Sequence, residues 1–193
     1  MCNHIEENGT YSEVEPIERI EEYRSKMIKM IDDNVLHKKI VLDKCLLVSK
    51  YFIQKGNVEL GLNIIRRGVA HDNSKFSKQE FVELVSIISP KTDKCFKDAT
   101  YTLSEEERKI IERHWKSNRH HPEFYDNQEE MGELDIIEMV CDWAARSQQY
   151  GTDLMEFVEE RQHNRFKFSD RLFKKIEGYC RLVVQLENAQ KAE

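Results

Sequence analysis

An all-α fold, a single helical bundle, is what this chain predicts. Apolar residues recur with the helical period along most of its 193 residues, and the three prolines and seven glycines fall between those periodic stretches. Two Ser-x-x-Glu boxes mark helix starts, because a serine oxygen and a glutamate three residues on can satisfy each other's orphan amides.

Residues 1–14 read as a polar, acidic and flexible arm, and 15–190 as one domain. A first helix is expected near Glu15-Pro16, since proline is tolerated in a first turn. A long amphipathic helix follows from about Asp33 to Gln54, with Ile40, Val41, Cys45, Val48 and Phe52 on its apolar stripe. Gly56-Asn57 ends it and caps a third helix, about Val58 to His71, which turns Leu60, Ile64, Ile65 and Gly68 inward. The box Ser77/Glu80 opens a fourth helix, stopped at Pro90, and residues 91–102 form a polar loop. Ser104/Glu107 opens a fifth through His114 to about Asn118, closed by His121-Pro122 because the residue before proline is disfavoured in the helical region. Glu133 to Tyr150 is a sixth helix with Ile136, Met139, Val140 and Trp143 on its stripe. Helices over about Asp153 to Gln162 and Asp170 to Asn188 complete the chain, the last with Phe173, Ile176, Cys180 and Val183 on one face. Tyr51, Phe52, Phe81 and Phe124 are expected in the core.

Composition narrows the function. The formal charge is −6 and the charges are interspersed, so there is no basic stripe to neutralise a long phosphate backbone. A sequence-specific nucleic-acid partner is not expected, while the composition leaves room for a small phosphorylated ligand. Five cysteines, widely spaced and without a CxxC, fit neither a disulfide framework nor a thiolate zinc site. With no apolar window of membrane-spanning length and no leader-like N-terminus, the expectation is a cytoplasmic protein without a membrane partner. Oligomeric state stays open, a homodimer included.

The polar residues on the predicted helix faces carry the functional signal. His37 precedes Ile40 and Val41 by three and four residues, which places an imidazole on a buried stripe, where a polar ring needs a partner. His71-Asp72 follows Gly68 at the end of an apolar helix. Glu138 and Asp142 lie one turn apart on a single face, and two such carboxylates repel unless a cation or a proton sits between them. His114, His120 and His121 add three more imidazoles. Neutral imidazoles and carboxylates are what a first-row divalent metal takes, and helix bundles build such sites from inward-facing side chains. One or two ions of manganese, iron, cobalt, nickel or zinc are therefore expected.

The order His37, His71-Asp72, Asp142 on successive helices resembles the HD-domain superfamily of metal-dependent phosphohydrolases. More closely, HDNSKFS, HWKSNRHHPEF and EMVCDWAARS together look like a family of uncharacterised HD-like proteins of bacteria and phages, over roughly residues 35–150. The resemblance implies an HD-like bundle with the metal between helices. It implies a first ion on His37, His71, Asp72 and Asp142, and a second that shares Asp72 and adds His114 with His120 or His121. Two departures stand out. The Gly-Tyr-Pro triplet of cyclic di-GMP hydrolases is absent, and His114 stands only six residues before His120.

The expected chemistry is phosphate-ester hydrolysis on a nucleotide or another small phosphate ester, with water activated by the metal. Lys75 would neutralise charge on the phosphoryl group, Lys116, Asn118 and Arg119 would hold the remaining phosphate or base groups, and Glu138 or His121 would relay the proton. A di-iron oxygenase and a non-catalytic metal- or ligand-binding protein are the alternatives.

Overall fold

The computed structural model describes residues 16–87 and 103–192. The N-terminal arm, the stop at Pro90 and the polar loop 91–102 lie outside the described residues. Within them there are seven α-helices and no strand: α1 (Pro16–Gln54), α2 (Val58–Ala70), α3 (Lys78–Ile87), α4 (Glu105–Ser117), α5 (Glu133–Tyr150), α6 (Leu154–Arg161) and α7 (Asp170–Lys191). Short helical turns at Asn73–Phe76, Pro122–Phe124, Gln128–Glu130 and Gln162–Phe166 join some of them.

The first two expected helices are one. Nothing between Ile17 and Gln54 breaks a helix, and Glu22–Lys26 and Lys29–Asp33 pair one turn apart at 2.8 and 2.6 Å. The result is a 39-residue rod. It ends at Gly56, whose φ of 86° only glycine adopts freely, and Asn57 caps α2 by accepting from the Leu60 amide at 3.2 Å.

α5 is the axis of the bundle. The sequence pattern shows one apolar stripe, yet every residue from Asp135 to Ala145 is buried, because α1, α2, α6 and α7 all pack on it. A helix surrounded in this way has no solvent face, so Asp135, Glu138 and Asp142 are enclosed with Ile136, Met139 and Cys141. Val41, Cys45 and Val48 of α1, Ile64 of α2, and Ile176, Cys180 and Val183 of α7 complete the core. Cys45, Cys141 and Cys180 are free buried thiols, as their spacing predicts. Tyr51, Phe52, Phe81 and Phe124 are only half-buried, which corrects their placement in the core.

Two glycines set the approach of α2 to α1. A Cβ on Gly61 would lie 2.5 Å from Ile53 Cγ1, and one on Gly68 would lie 2.8 Å from Cys45 Cβ. Both glycines are on the face of α2 that meets α1, where Ser49 Oγ also donates to the Gly61 carbonyl at 2.8 Å. Because His71 and Asp72 terminate this helix, its seating on α1 positions them. Gly68→Ala is expected to lower stability by about 1–3 kcal/mol through overpacking, read by urea unfolding; an unchanged midpoint would show that α1 and α2 separate without cost.

Candidate metal centre

α2 ends where its chemistry begins. His71 leaves the helical region (φ −48°, ψ 129°) and Asp72 takes the left-handed one (φ 53°, ψ 22°). That conformation costs an L residue roughly 1–2 kcal/mol, and aspartate tolerates it better than most. Lys38 of α1 ties the bend by donating to the His71 carbonyl at 3.0 Å and to Asn73 Oδ1. The reversal drives the Asp72 carboxylate back into the bundle, where the residue is buried.

Around it, imidazoles from four segments turn their Nε2 atoms inward. Asp72 Oδ2 lies 3.5 Å from His71 Nε2, and Asp72 Oδ1 lies 3.4 Å from His114 Nε2 and 3.5 Å from His120 Nε2. His37 Nε2 is 2.8 Å from Asp142 Oδ1, and His71 Nε2 is 4.0 Å from the same oxygen. His121 Nε2 approaches His114 Nε2 to 3.1 Å. The Nε2 atoms of His37, His71 and His120, with Asp72 Oδ1 and Asp142 Oδ1, are buried and lack aligned hydrogen-bond partners. Buried polar atoms are nearly always satisfied, so several pointing at a common centre form a place that could hold a cation.

The opposite edges of the same rings are occupied. His37 Nδ1 meets Gln149 Oε1 at 2.8 Å, and His114 Nδ1 meets Glu80 Oε1 at 2.6 Å. His71 Nδ1 and His120 Nδ1 both face Glu138 Oε1, at 3.0 and 3.3 Å. An Nδ1–H held by an oxygen leaves the lone pair on Nε2, the tautomer a metal needs. Among the described residues, three groups can hold an ion: His71, His120 and Glu138, and the two that meet at Asp72, namely His37, His71 and Asp72, with Asp142 adjoining, and Asp72, His114, His120 and His121. Asp72 belongs to both, one oxygen for each.

Electrostatics agree with this geometry at four of the residues and oppose it at His120, where burial acts downward but Glu138, Asp72 and Asp142 outweigh it and raise the pKa. Burial, with Arg146 nearby, pushes His37 down to about 4 against the pull of Asp142. Burial and the neighbouring His120 and His114 hold His121 well below the usual imidazole range. For Asp72, burial acts upward but Lys75, His71 and His114 outweigh it, and the carboxyl stays well below its ordinary value. For Asp142, burial is likewise outweighed, by His37, His71 and Arg146. Neutral imidazoles and ionised carboxylates are the ligand forms.

The candidate residues separate into groups. The six expected ligands His37, His71, Asp72, His114, His120 and Asp142 meet in one place, and Lys75 joins them, its Nζ 2.7 Å from Asp72 Oδ2. His121, expected as a proton relay, sits among the ligand atoms of the second group. Glu138, the other expected relay, stands behind the rings: Oε1 faces His71 and His120, and Oε2 pairs with Arg67 Nη1 at 3.2 Å. Burial tends to raise its pKa, but the hydrogen bonds from His120 and His71 hold it at about 2. It positions ligands and has no oxygen turned to the pocket.

Of the three expected substrate contacts, none lines the pocket over the centre. Asn118 braces the loop, bonding Ser74 Oγ at 3.1 Å and the His114 carbonyl at 2.8 Å. Arg119 is drawn to the buried Asp135, at 3.2 Å, which Tyr125 OH and Arg67 also serve. Lys116 is exposed on α4. The pocket instead presents Lys75, Arg146, Arg161 and Arg165 among aromatic rings. Sequence reasoning passed over these arginines, and over Glu80 and Gln149. Glu80 was taken for half of a capping box, and its carboxylate goes to His114 while its amide still bonds Ser77 Oγ at 3.3 Å. Gln149 and Arg146 were detectable, since they lie seven and four residues after Asp142 on α5.

Glu80→Ala and Gln149→Ala are each expected to weaken metal binding about 10- to 100-fold while the fold persists. Competition against a chelator of known affinity reads the change, and wild-type affinity in both variants would mean that the tautomers need no support.

Fold and site together define an all-α protein with a buried histidine–carboxylate centre able to hold metal. Residues 27–182 match a family described as a family of unknown function (DUF5662), and the chain belongs to it. No curated protein and no solved structure matches. Among the described residues, no helix is long and apolar enough to cross a membrane.

Proposed function

We propose that this protein is a metal-dependent hydrolase of a nucleotide or another small phosphate ester, built on an HD-like site. One observation carries the reading: Asp72 and Asp142, each with a buried carboxylate oxygen that lacks an aligned hydrogen-bond partner, line together with His114 and His121 a pocket whose other charged lining residues are Lys75, Arg146, Arg161 and Arg165. A ligand set of imidazole and carboxylate without thiolate suits manganese, iron, cobalt, nickel or zinc. The sharing of Asp72 between two ligand groups supports a two-ion centre.

When bound, a divalent ion lowers the pKa of a coordinated water and polarises a phosphoryl oxygen. The chain supplies the rest. Lys75 beside Asp72 and Arg146, 4.0 Å from Asp142, place positive charge where a phosphoryl group would gain negative charge. The wall of Ile111, Pro122, Trp143 and Phe166 limits water around the ester. His121 lines both the pocket and the second ligand group, and its lowered pKa suits it to bind metal. His121→Asn is therefore expected to reduce bound metal from two ions to one, measured by elemental analysis. Two ions retained with a slower turnover would assign it the relay role instead.

The defining experiment is phosphate release from a panel of nucleotides and sugar phosphates with manganese, cobalt or nickel, with and without chelator. Release that requires metal and is lost in Asp72→Asn is the expected result. No release from any member would overturn the reading.

A further inference from the structure

The pocket over the centre is a cavity of about 160 Å³, scaled to a small molecule. Its charge is lopsided. Four cations line it, Lys75, Arg146, Arg161 and Arg165, against two carboxylates, Asp72 and Asp142, both of which belong to the metal centre. Two of the cations stay with those carboxylates: Lys75 at 2.7 Å from Asp72, and Arg146 at 4.0 Å from Asp142. The other two, Arg161 and Arg165, come from the far wall.

That wall holds its guanidinium groups on aromatic faces. Arg165 lies 4.1 Å over the Trp115 ring and 4.8 Å from Phe166, and Arg161 lies 4.8 Å over Phe157. Trp143 stacks on Phe166 at 5.9 Å. A guanidinium stacked on a ring is oriented in advance, and an anion in the pocket would share its N–H groups with the acids already beside it. The same stacking covers ring faces that a planar base would use. The acids that pair with these arginines, Glu123 with Arg165 and Glu160 with Arg161 at 3.4 Å, do not line the pocket. The segment between α6 and α7, Gln162–Phe166, is a π-helical turn, a rare geometry that recurs at functional sites. It is tied down by Gln162, which exchanges two 2.9 Å hydrogen bonds with the Phe168 backbone.

We infer that the pocket selects compact substrates carrying two separated anionic groups, the first a phosphate at the metal beside Lys75 and Arg146, and the second read by Arg161 and Arg165. The inference rests on the phosphohydrolase reading for the first group only. The second group is a phosphate or a carboxylate, either of which accepts guanidinium N–H bonds in pairs.

The chain contains two tryptophans, Trp115 and Trp143, and both line the pocket. Ligand binding is therefore measurable by intrinsic fluorescence without any turnover. The probes for zinc-loaded protein are fructose 1,6-bisphosphate against fructose 6-phosphate for a second phosphate, and 3-phosphoglycerate against glycerol 3-phosphate for a carboxylate. In at least one pair the two-anion ligand is expected to bind about 10- to 100-fold more tightly than its one-anion partner. Which pair shows the preference identifies the second group. The preference should vanish in the double variant Arg161→Gln/Arg165→Gln, with binding of the one-anion ligands retained, and should survive in Arg171→Gln, which removes an exposed cation remote from the pocket lining. Thermal melts establish that each variant is folded, and single substitutions replace the double one if it is not.

Equal affinity within both pairs, or a preference that persists without Arg161 and Arg165, overturns the inference. The two readings fail separately: preference without phosphate release under any metal removes the hydrolase reading alone, and phosphate release without preference removes this one alone.

Discussion

Asp72→Asn is expected to have the largest effect of any single substitution: loss of metal from one of the two ligand groups that share it, weaker binding at the other, and a fall in metal-dependent activity of roughly 10³-fold or more. Both Asp72 oxygens face ring nitrogens, Oδ2 toward His71 and Oδ1 toward His114 and His120, so an amide nitrogen in place of either oxygen breaks one group. Neutralising the carboxylate also leaves Lys75 Nζ without the partner it holds at 2.7 Å. Asparagine tolerates the left-handed backbone at this position, so the metal-free variant should melt close to the metal-free parent. Elemental analysis, phosphate release and melting of both proteins in chelator test the prediction together. Metal content at the parental level in Asp72→Asn would remove Asp72 from the ligand set.

Metal removal should have the second largest effect. At free metal 1,000-fold above its dissociation constant, binding to the native state alone adds about 4 kcal/mol. For a chain of this size that corresponds to a rise in Tm of about 8–16 °C over chelator-treated protein. The physical source is specific. Without metal, His71 Nε2, His120 Nε2 and Asp72 Oδ1 are buried without an aligned hydrogen-bond partner, and His37 Nε2 has Asp142 Oδ1 at 2.8 Å as its one near neighbour among the carboxylates. Because the imidazoles bind in their neutral form, and burial of His120 is outweighed by Glu138, Asp72 and Asp142, which raise its pKa, the metal-dependent shift in Tm should begin to shrink as pH falls through neutrality, with His37, held by burial at about 4, protonated only in stronger acid. Equal Tm with metal and with chelator at neutral pH would mean that no ion binds the folded centre.

The first-group ligands were legible because each sits at a position whose face is set by local periodicity. His37 shares a stripe with Val41, His71 ends an apolar helix after Gly68, and Asp142 lies one turn from Glu138, next to the apolar stripe of Met139 and Trp143. Helical period converts sequence spacing into direction, so burial of these groups could be read without coordinates. What could not be read was the distribution of roles among neighbours in space. Glu80 lies five residues after Lys75 and Glu138 four before Asp142, yet both stand behind imidazoles on their Nδ1 side. Arg119 follows a site loop immediately, but the buried charge of Asp135, 16 residues further on, claims it. Arg161 and Arg165 lie outside the motif-bearing stretch and reach the pocket only because α6 packs on α5.

The sequence alone therefore determined the fold class, most helix boundaries and the kind of centre to expect, since these follow from periodicity, capping chemistry and the cost of burying imidazoles and carboxylates. It did not determine that α1 is continuous, nor that α5 is buried on every side. Tertiary structure alone decided which nitrogen of each histidine turns inward and which arginines line the pocket. Those outcomes depend on distances between groups far apart in the chain, and charge and hydrogen-bond partners are chosen in space, where local spacing carries no information.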